Sequence, residues 1–260
     1  MKYKAAFFDF DGTLCSFKTH AVPPSAIEAL RLARQNGVMV FLATGRHPMI
    51  FMQNDQAAAL PFDGYLTSNG QYCYNKKEII HRMYIPDADK RALVAWLAEN
   101  PMSLLFLSQK EVYINRIDDR VRAANAVLRS MDASVFPAER CLDQNVFAFL
   151  FYGEAGEEDD FMKQMPGCKA VRWHPTFADI IPKNGGKDAG IDAMLRYYGI
   201  GLDETIAFGD AQNDLDMIRH VGTGVAMGNA ADYLKEAADY ITDSVDDDGI
   251  FNALRHFGVI

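Results

Sequence analysis

The chain has 260 residues, of which 49% are apolar, and a net charge of −9. That length supports one large core or two domains, and the acidic balance argues against nucleic acid or an anionic membrane surface as the main partner. The longest apolar runs, such as Val146–Tyr152, fall far short of the roughly 20 residues a membrane helix needs.

No signal peptide is read in Met1-Lys2-Tyr3-Lys4 and the few apolar residues before Asp9. Cys15, Cys73, Cys141 and Cys168 form no C-x-x-C pair and no zinc spacing. Reduced thiols and a cytoplasmic location are the expectation.

Lys2 to Phe10 reads as a buried strand, stopped abruptly by Asp9-Phe10-Asp11-Gly12-Thr13-Leu14. Residues i and i+2 share a face of a strand, so Asp9 and Asp11 bring two carboxylates to one small space. Two anions that close require a proton or a cation between them. Asp-Gly is also an ordinary turn dipeptide. Ser25-Ala26-Ile27-Glu28 fits a capping box, and Ile27, Leu30 and Ala33 follow at helical spacing up to Gly37. Val38 to Ala43 is a second strand, parallel to the first given a connection of this length, and it ends at Thr44-Gly45-Arg46. A helix is predicted from Pro48 to Leu60. Gly64 to Ser68 is a third strand, ending at Asn69-Gly70.

The pattern then changes. Gln71 to Ile80 reads as a hairpin and Asp87 to Glu99 as a helix. Ser103 to Leu107 and Glu111 to Asn115 read as antiparallel strands. Asp119 to Met131 is a helix, Val146 to Tyr152 a strand and Glu157 to Met165 a helix. Lys169 to His174 and Phe177 to Ile181 form a last hairpin. This mixture predicts an α+β domain, residues 83–182, inserted into a core of residues 1–82 and 183–260. The parallel pattern resumes with a helix at Asp188 to Tyr198 and a strand at Thr205 to Phe208, which ends at Gly209-Asp210 with Asn213 and Asp214 following. A helix from Asp214 to His220 comes next. Gly224 to Met227, Ala231 to Ala238, Tyr240-Ile241 and Ile250 to Phe257 complete the alternation. The predicted fold class is α/β, a doubly wound parallel sheet with an inserted α+β domain.

In open α/β sheets, sites lie beyond the carboxyl ends of the strands. Four such ends offer Asp9 and Asp11, Thr44, Asn69, and Asp210 with Asp214, while Lys187 stands at a helix start. Phosphoryl transfer needs this inventory. Carboxylates and a carbonyl suit a hard divalent cation such as Mg2+. A hydroxyl and an ammonium hold phosphoryl oxygens. One carboxylate can attack phosphorus and a second can move protons.

Asp9-x-Asp11-Gly12-Thr13-Leu14, Ala43-Thr44-Gly45-Arg46, Lys187 and Gly209-Asp210-x-x-Asn213-Asp214 resemble, in order, the four motifs of the haloacid dehalogenase superfamily. Gly224-Val225-Ala226-Met227-Gly228-Asn229-Ala230 resembles a signature of its Cof-type phosphatases, and the insertion resembles their large α/β cap. The chain is similar throughout to bacterial sugar phosphatases of this branch. The resemblance implies an aspartyl-phosphate formed on Asp9. It implies Mg2+ held by the Asp9 and Asp210 carboxylates and the Asp11 carbonyl, with Asp214 behind them acting through water. Asp11 is implied as general acid and base, Thr44 and Lys187 as holders of phosphoryl oxygens, and Asn213 as a support of the phosphate and metal site. Amides at Gly12 and Gly45 are expected to face the phosphoryl oxygens. A small phosphate ester, a sugar phosphate, is the expected substrate, with no nucleic acid, membrane or obligate protein partner.

Arg46 either contacts substrate or braces its loop. Asn69-Gly70 either offers its backbone to substrate or is a turn. Trp173 and Asp179 are substrate candidates through their place in the cap segment. His47, His174 and His220 lack metal spacing, and Asp246-Asp247-Asp248 reads as a solvated loop. Gly186-Lys187 is followed by Asp188 and lacks the first P-loop glycine. Three rivals stand beside a phosphatase: a sugar phosphomutase, a phosphorylated-aspartate receiver domain and a binding protein that has lost activity. Asp11 argues against the receiver because a switch needs no acid–base turnover. The presence of every motif residue argues against lost activity.

Overall fold

Side chains alternate across a strand, and the first strand shows what that does here. Ala5 and Phe7 belong to one apolar cluster, Ala6 and Phe8 to another, and all four are fully buried. A parallel strand covered on both faces reads as a continuous apolar run rather than an alternating one. The computed structural model describes residues 2–51, 60–128 and 133–260. The chain divides into two compact units, Met1–His81 with Gly186–Ile260, and Arg82–Gly185.

The first unit begins with β1 (Ala5–Phe8), α1 (Pro24–Gln35), β2 (Met39–Ala43), α2 (Pro48–Phe51), β3 (Gly64–Thr67), β4 (Tyr72–Tyr74) and β5 (Ile79–Arg82). The second unit contains α3 (Asp87–Glu99), β6 (Leu104–Ser108), β7 (Val112–Ile114) and α4 (Asp119–Leu128). It continues through β8 (Val146–Tyr152), α5 (Asp159–Met162), β9 (Cys168–His174) and β10 (Phe177–Pro182). The first unit resumes with α6 (Lys187–Tyr198), β11 (Thr205–Gly209), α7 (Leu215–His220), β12 (Gly224–Ala226), α8 (Asp232–Ala237), β13 (Tyr240–Ile241) and α9 (Gly249–His256).

In the first unit the sheet order is β13-β12-β11-β1-β2-β3-β4-β5. The strands from β13 to β3 are parallel, and β4 turns back antiparallel to β3. One face packs Ala26, Ala29, Leu30 and Ala33 of α1 with Ile250, Ala253 and Leu254 of α9. The other packs Ile191, Met194 and Leu195 of α6 with Met217 and Ile218 of α7. The chain builds outward from β1 through β2 and β3, then crosses to β11 and builds the other way. The order therefore reverses between β1 and β11, where a doubly wound sheet leaves a crevice at its carboxyl edge.

The second unit is a five-stranded antiparallel sheet, β7-β6-β8-β10-β9. Leu104, Phe106, Phe149, Phe151 and Ile180 join Leu93 and Leu97 of α3 in its core. This is the α/β core with an inserted α+β unit that the sequence predicts.

Three local expectations change. Ser25 does not cap α1: the N-cap is Pro23 and the helix starts at Pro24, with no side-chain cap bond. Proline at the first helical position has its φ preset and no N–H to satisfy, so the serine lies inside the first turn. The helix expected over Glu157–Met165 is confined to Asp159–Met162. Glu157 is drawn to Arg120 and Glu158 to Arg172, and Pro166 disfavours helical geometry at Met165. The first strand stops at Phe8 because the Phe10 carbonyl accepts from the Leu14 and Cys15 amides, which folds the chain back. A 3-10 segment at Ala138–Asp143, after Pro137, was not foreseen. The helices expected to reach Leu60 and Met131 are seen as Pro48–Phe51 and Asp119–Leu128, and residues 52–59 and 129–132 lie outside the described residues.

Candidate active site

Asp9 stands one residue beyond β1, and its amide still donates to the Phe208 carbonyl of neighbouring β11 at 3.0 Å. Asp210 stands one residue beyond β11. The parallel register, Phe8 beside Phe208, thus delivers both carboxylates to the edge where the strand order reverses. Both are almost fully buried.

Lys187 opens α6, and its side chain has no solvent exposure. Nζ donates to Asp9 Oδ1 at 2.6 Å and to Asp214 Oδ1 at 2.5 Å. The other oxygen of Asp214 accepts from the Asp210 and Ala211 amides, each at 3.0 Å. Asp214 is thereby tied to the lysine on one side and to the loop carrying Asp210 on the other. Thr13 Oγ1 donates to Asp210 Oδ1 at 2.8 Å.

Asp9, Asp210 and Asp214 each place one carboxylate oxygen within 4.8 Å of the others. Burial, then the Asp214 charge, push the Asp9 carboxyl up to about 8 against the pull of Lys187. Burial, then Asp9 and Asp214, likewise push Asp210 well above the usual carboxylate range. For Lys187 burial opposes the charge, but Asp214 and Asp9 outweigh it and raise its pKa. With all three carboxyls ionised against one ammonium, two negative charges remain, the charge that one divalent cation cancels. An all-oxygen donor set of this kind suits a hard cation such as Mg2+. The residues present therefore fit a metal.

Gly12 has φ +84°, and a Cβ there would lie 2.2 Å from Asp210 Oδ2. Only glycine lets the turn pass this close to the carboxylate. The Gly12 amide donates to the Cys15 carbonyl at 2.8 Å. The expected contact from that amide to phosphoryl oxygens is thus replaced by a bond that closes the turn, and Gly12 serves by clearance. The Gly12 carbonyl accepts from Asn229 Nδ2 at 2.8 Å, while Asn229 Oδ1 takes the Val245 amide at 2.9 Å. Thr13 and Asn229 were visible only as members of motifs. Nothing in their spacing announced the bonds to Asp210 and to the Gly12 carbonyl, which span 197 and 217 residues.

Thr44 is buried beyond β2, and its Oγ1 accepts from the Arg46 amide at 3.1 Å. Gly45 lies between them. The Arg46 guanidinium forks onto Asp11, with Nη2 to Oδ1 at 2.6 Å and Nε to Oδ2 at 2.8 Å. Ser68, Asn69 and Gly70 beyond β3 all have positive φ, at 50°, 54° and 82°. The Asn69 amide donates to the Thr44 carbonyl at 3.0 Å, and Asn69 Oδ1 accepts from Asn213 Nδ2 at 3.2 Å. A Cβ on Gly70 would lie 2.3 Å from the Gly186 carbonyl, so this glycine seats the start of α6. Asp179 belongs to the second unit, where it is buried in β10 and accepts from the Trp173 indole at 3.1 Å.

The doubly wound sheet, its inserted unit and its carboxylate cluster at the reversal point define a metal-assisted phosphoryl hydrolase. Residues 6–254 match the family of haloacid dehalogenase-like hydrolases, and the chain belongs to that family. Within it the chain is a Cof-type phosphatase with a cap domain, a phosphoric monoester hydrolase. It is 31% identical to YkrA of Bacillus subtilis over 269 aligned positions that cover all of both chains. It is 29% identical to the pyridoxal phosphate phosphatase YbhA of Escherichia coli, over 94% of this chain and 97% of that one. Among solved structures, the sugar phosphatase BT4131 superposes with a TM-score of 0.92 at 37% identity, over 99% of this chain and 100% of that one. The phosphatase BT1666 of Bacteroides thetaiotaomicron does so with a TM-score of 0.91 at 33% identity, over 99% and 96%. No helix among the described residues is long and apolar enough to cross a membrane.

Proposed function

We propose that the chain hydrolyses the phosphate esters of small sugars, with Asp9 as the nucleophile. The observation that carries the chemistry is the buried Lys187 ammonium bonded to both Asp9 and Asp214. It fixes the Asp9 carboxylate in one orientation at the strand end, as in-line attack demands. The support for a sugar is the 37% identity with a sugar phosphatase, against 29% with the pyridoxal phosphate phosphatase.

Asp9 attacks phosphorus, the ester P–O bond breaks, and Asp11 gives its proton to the departing alkoxide. Water then attacks the aspartyl-phosphate. Asp11 takes the water's proton, the bond from phosphorus to Asp9 breaks, and inorganic phosphate leaves. Thr44 Oγ1 accepts from the Arg46 amide, which leaves the hydroxyl proton for a phosphoryl oxygen. Lys187 neutralises charge at the same point, Asn213 steadies Asn69, and the loop Gly45–Arg46 borders the phosphoryl group. Asp9, Asp210 and the Asp11 carbonyl would hold Mg2+, with Asp214 behind them. Bound there, the cation supplies charge that keeps Asp9 ionised and offsets the phosphoryl oxygens. Asp179, fixed by Trp173, would accept hydrogen bonds from substrate hydroxyls.

The test is a panel of phosphomonoesters with Mg2+ and with chelator. It includes hexose and pentose phosphates, pyridoxal phosphate, nucleotides and phosphopeptides. The expected result is the highest kcat/KM on sugar phosphates and loss of turnover on chelation. A clear preference for nucleotides or phosphopeptides would overturn the substrate, and activity surviving full chelation would overturn the metal.

A further inference from the structure

Arg46 has no step in the reaction above, yet its side chain is among the most firmly placed in the loop. Its guanidinium holds both oxygens of Asp11, at 2.6 and 2.8 Å. The group is fixed from behind as well. It lies 5.2 Å from the Phe10 ring centroid. The Arg46 amide donates to Thr44 Oγ1 and its carbonyl accepts from the Ser68 amide at 2.9 Å. The pair is partly screened, with side-chain exposures of 29% and 21%, so its interest lies in direction rather than energy. A two-pronged contact fixes orientation as well as distance, and an aspartate on a tight turn otherwise turns freely about its side-chain bonds.

Both oxygens of Asp11 are thus occupied. Each oxygen keeps a lone pair beside its guanidinium bond, but its direction toward a leaving alcohol is set by that bond. A phosphate monoester brings a competing anion for the guanidinium. We propose that Arg46 is a positioning residue that holds the Asp11 carboxylate in one orientation and yields one of its oxygens when the ester binds. The freed oxygen takes a proton from solvent and passes it to the alkoxide, then takes the hydrolytic water's proton and returns it to solvent, so each turnover restores the starting pair. This inference rests on the reading of Asp11 as proton donor and acceptor.

The test compares two esters in pre-steady-state kinetics with Mg2+. The phenolate of 4-nitrophenyl phosphate leaves without a proton, whereas the sugar alkoxide of glucose 6-phosphate requires one. Asp11→Asn is expected to slow phosphoryl transfer from the sugar ester by about 10²–10⁴-fold and to leave a nitrophenol burst of one equivalent per site. Arg46→Met is expected to slow the sugar ester by about 10²-fold with a much smaller change in the burst. Arg46→Lys keeps the charge without the fork and should recover only part of the loss. Arg46→Met added to Asp11→Asn should then cost nothing further, because the two act through one group.

Multiplicative losses in the double variant, or equal losses on both esters, would show that Arg46 acts apart from Asp11 and would overturn the proposal. If Asp11→Asn does not distinguish the esters, the acid–base reading of Asp11 falls first and takes the proposal with it. Thermal unfolding of each variant separates these outcomes from misfolding, since a misfolded variant loses the burst as well.

Discussion

The Lys187 ammonium and the Asp9 carboxylate meet at 2.6 Å although 178 positions separate them in sequence. The whole of Arg82–Gly185 lies between them in the chain. The bond forms because α6 starts at the edge where β1 ends.

Replacing this lysine tests how much the cluster depends on it. Removing one partner of a buried ion pair costs about 3–5 kcal/mol. Lys187→Met should lose that much at pH 9, and less at pH 6, where Asp9 can take a proton instead. Lys187→Arg should not rescue activity, because a larger planar fork would have to replace a compact ammonium in a fully buried site. Denaturant midpoints and kcat measure the two effects, and a near-normal kcat in Lys187→Arg would count against the assigned role.

Asp9→Asn should abolish turnover and form no hydroxylamine-sensitive phosphoenzyme, since an amide does not attack phosphorus. Asp11→Asn should lower steady-state turnover on a sugar ester by about 10²–10⁴-fold. Normal hydrolysis by Asp9→Asn would falsify the nucleophile assignment.

The cation should reveal itself in stability as well as in rate. Asp9 has a folded pKa of about 8 against an ordinary value of 3.8. The folded state therefore holds a proton that the unfolded chain releases. Its contribution is complete below the unfolded value, falls as pH rises, and is gone above about 8. With chelator, Tm should decline between pH 5 and 8 more steeply than with Mg2+, which replaces the proton as the balancing charge. Asp9→Asn should remove that Asp9-dependent part of the slope. Parallel Tm curves with chelator and with Mg2+ in the unaltered chain would argue against a cation beside Asp9.

Gly70 and Gly37 have nearly the same positive φ, +82° and +85°. A Cβ on Gly37 meets nothing within 4 Å, whereas one on Gly70 would meet the Gly186 carbonyl at 2.3 Å. Gly37→Ala should cost only the backbone strain, about 1–2 kcal/mol. Gly70→Ala should cost about 1–3 kcal/mol more through overpacking and should lower kcat, because the displaced backbone carries Lys187. Equal destabilisation of the two variants would mean that the contact with Gly186 yields freely.

The core strands and the polar residues at their ends were legible without coordinates. Buried parallel strands are uniformly apolar, so the places where charge interrupts them stand out, and Asp9, Thr44, Asn69 and Asp210 were found that way. Ser25 carries a capping pattern, yet Pro24, one residue earlier, opens α1 instead. Pro166 limits α5, because the residue before a proline disfavours helical geometry.

Residue types, strand ends and the inserted segment follow from the sequence alone, because burial periodicity and chain order are local properties. What required tertiary structure were the pairings. Asp11 could be placed at a turn, but not in the grip of Arg46. Gly12 could be read as part of a turn, but not as the clearance that admits Asp210. Asn229 could be recognised in a motif, but not as the clasp on the Gly12 carbonyl. Such contacts arise where separate strand ends converge, and their geometry depends on register and side-chain direction across the sheet, which no single stretch of sequence contains.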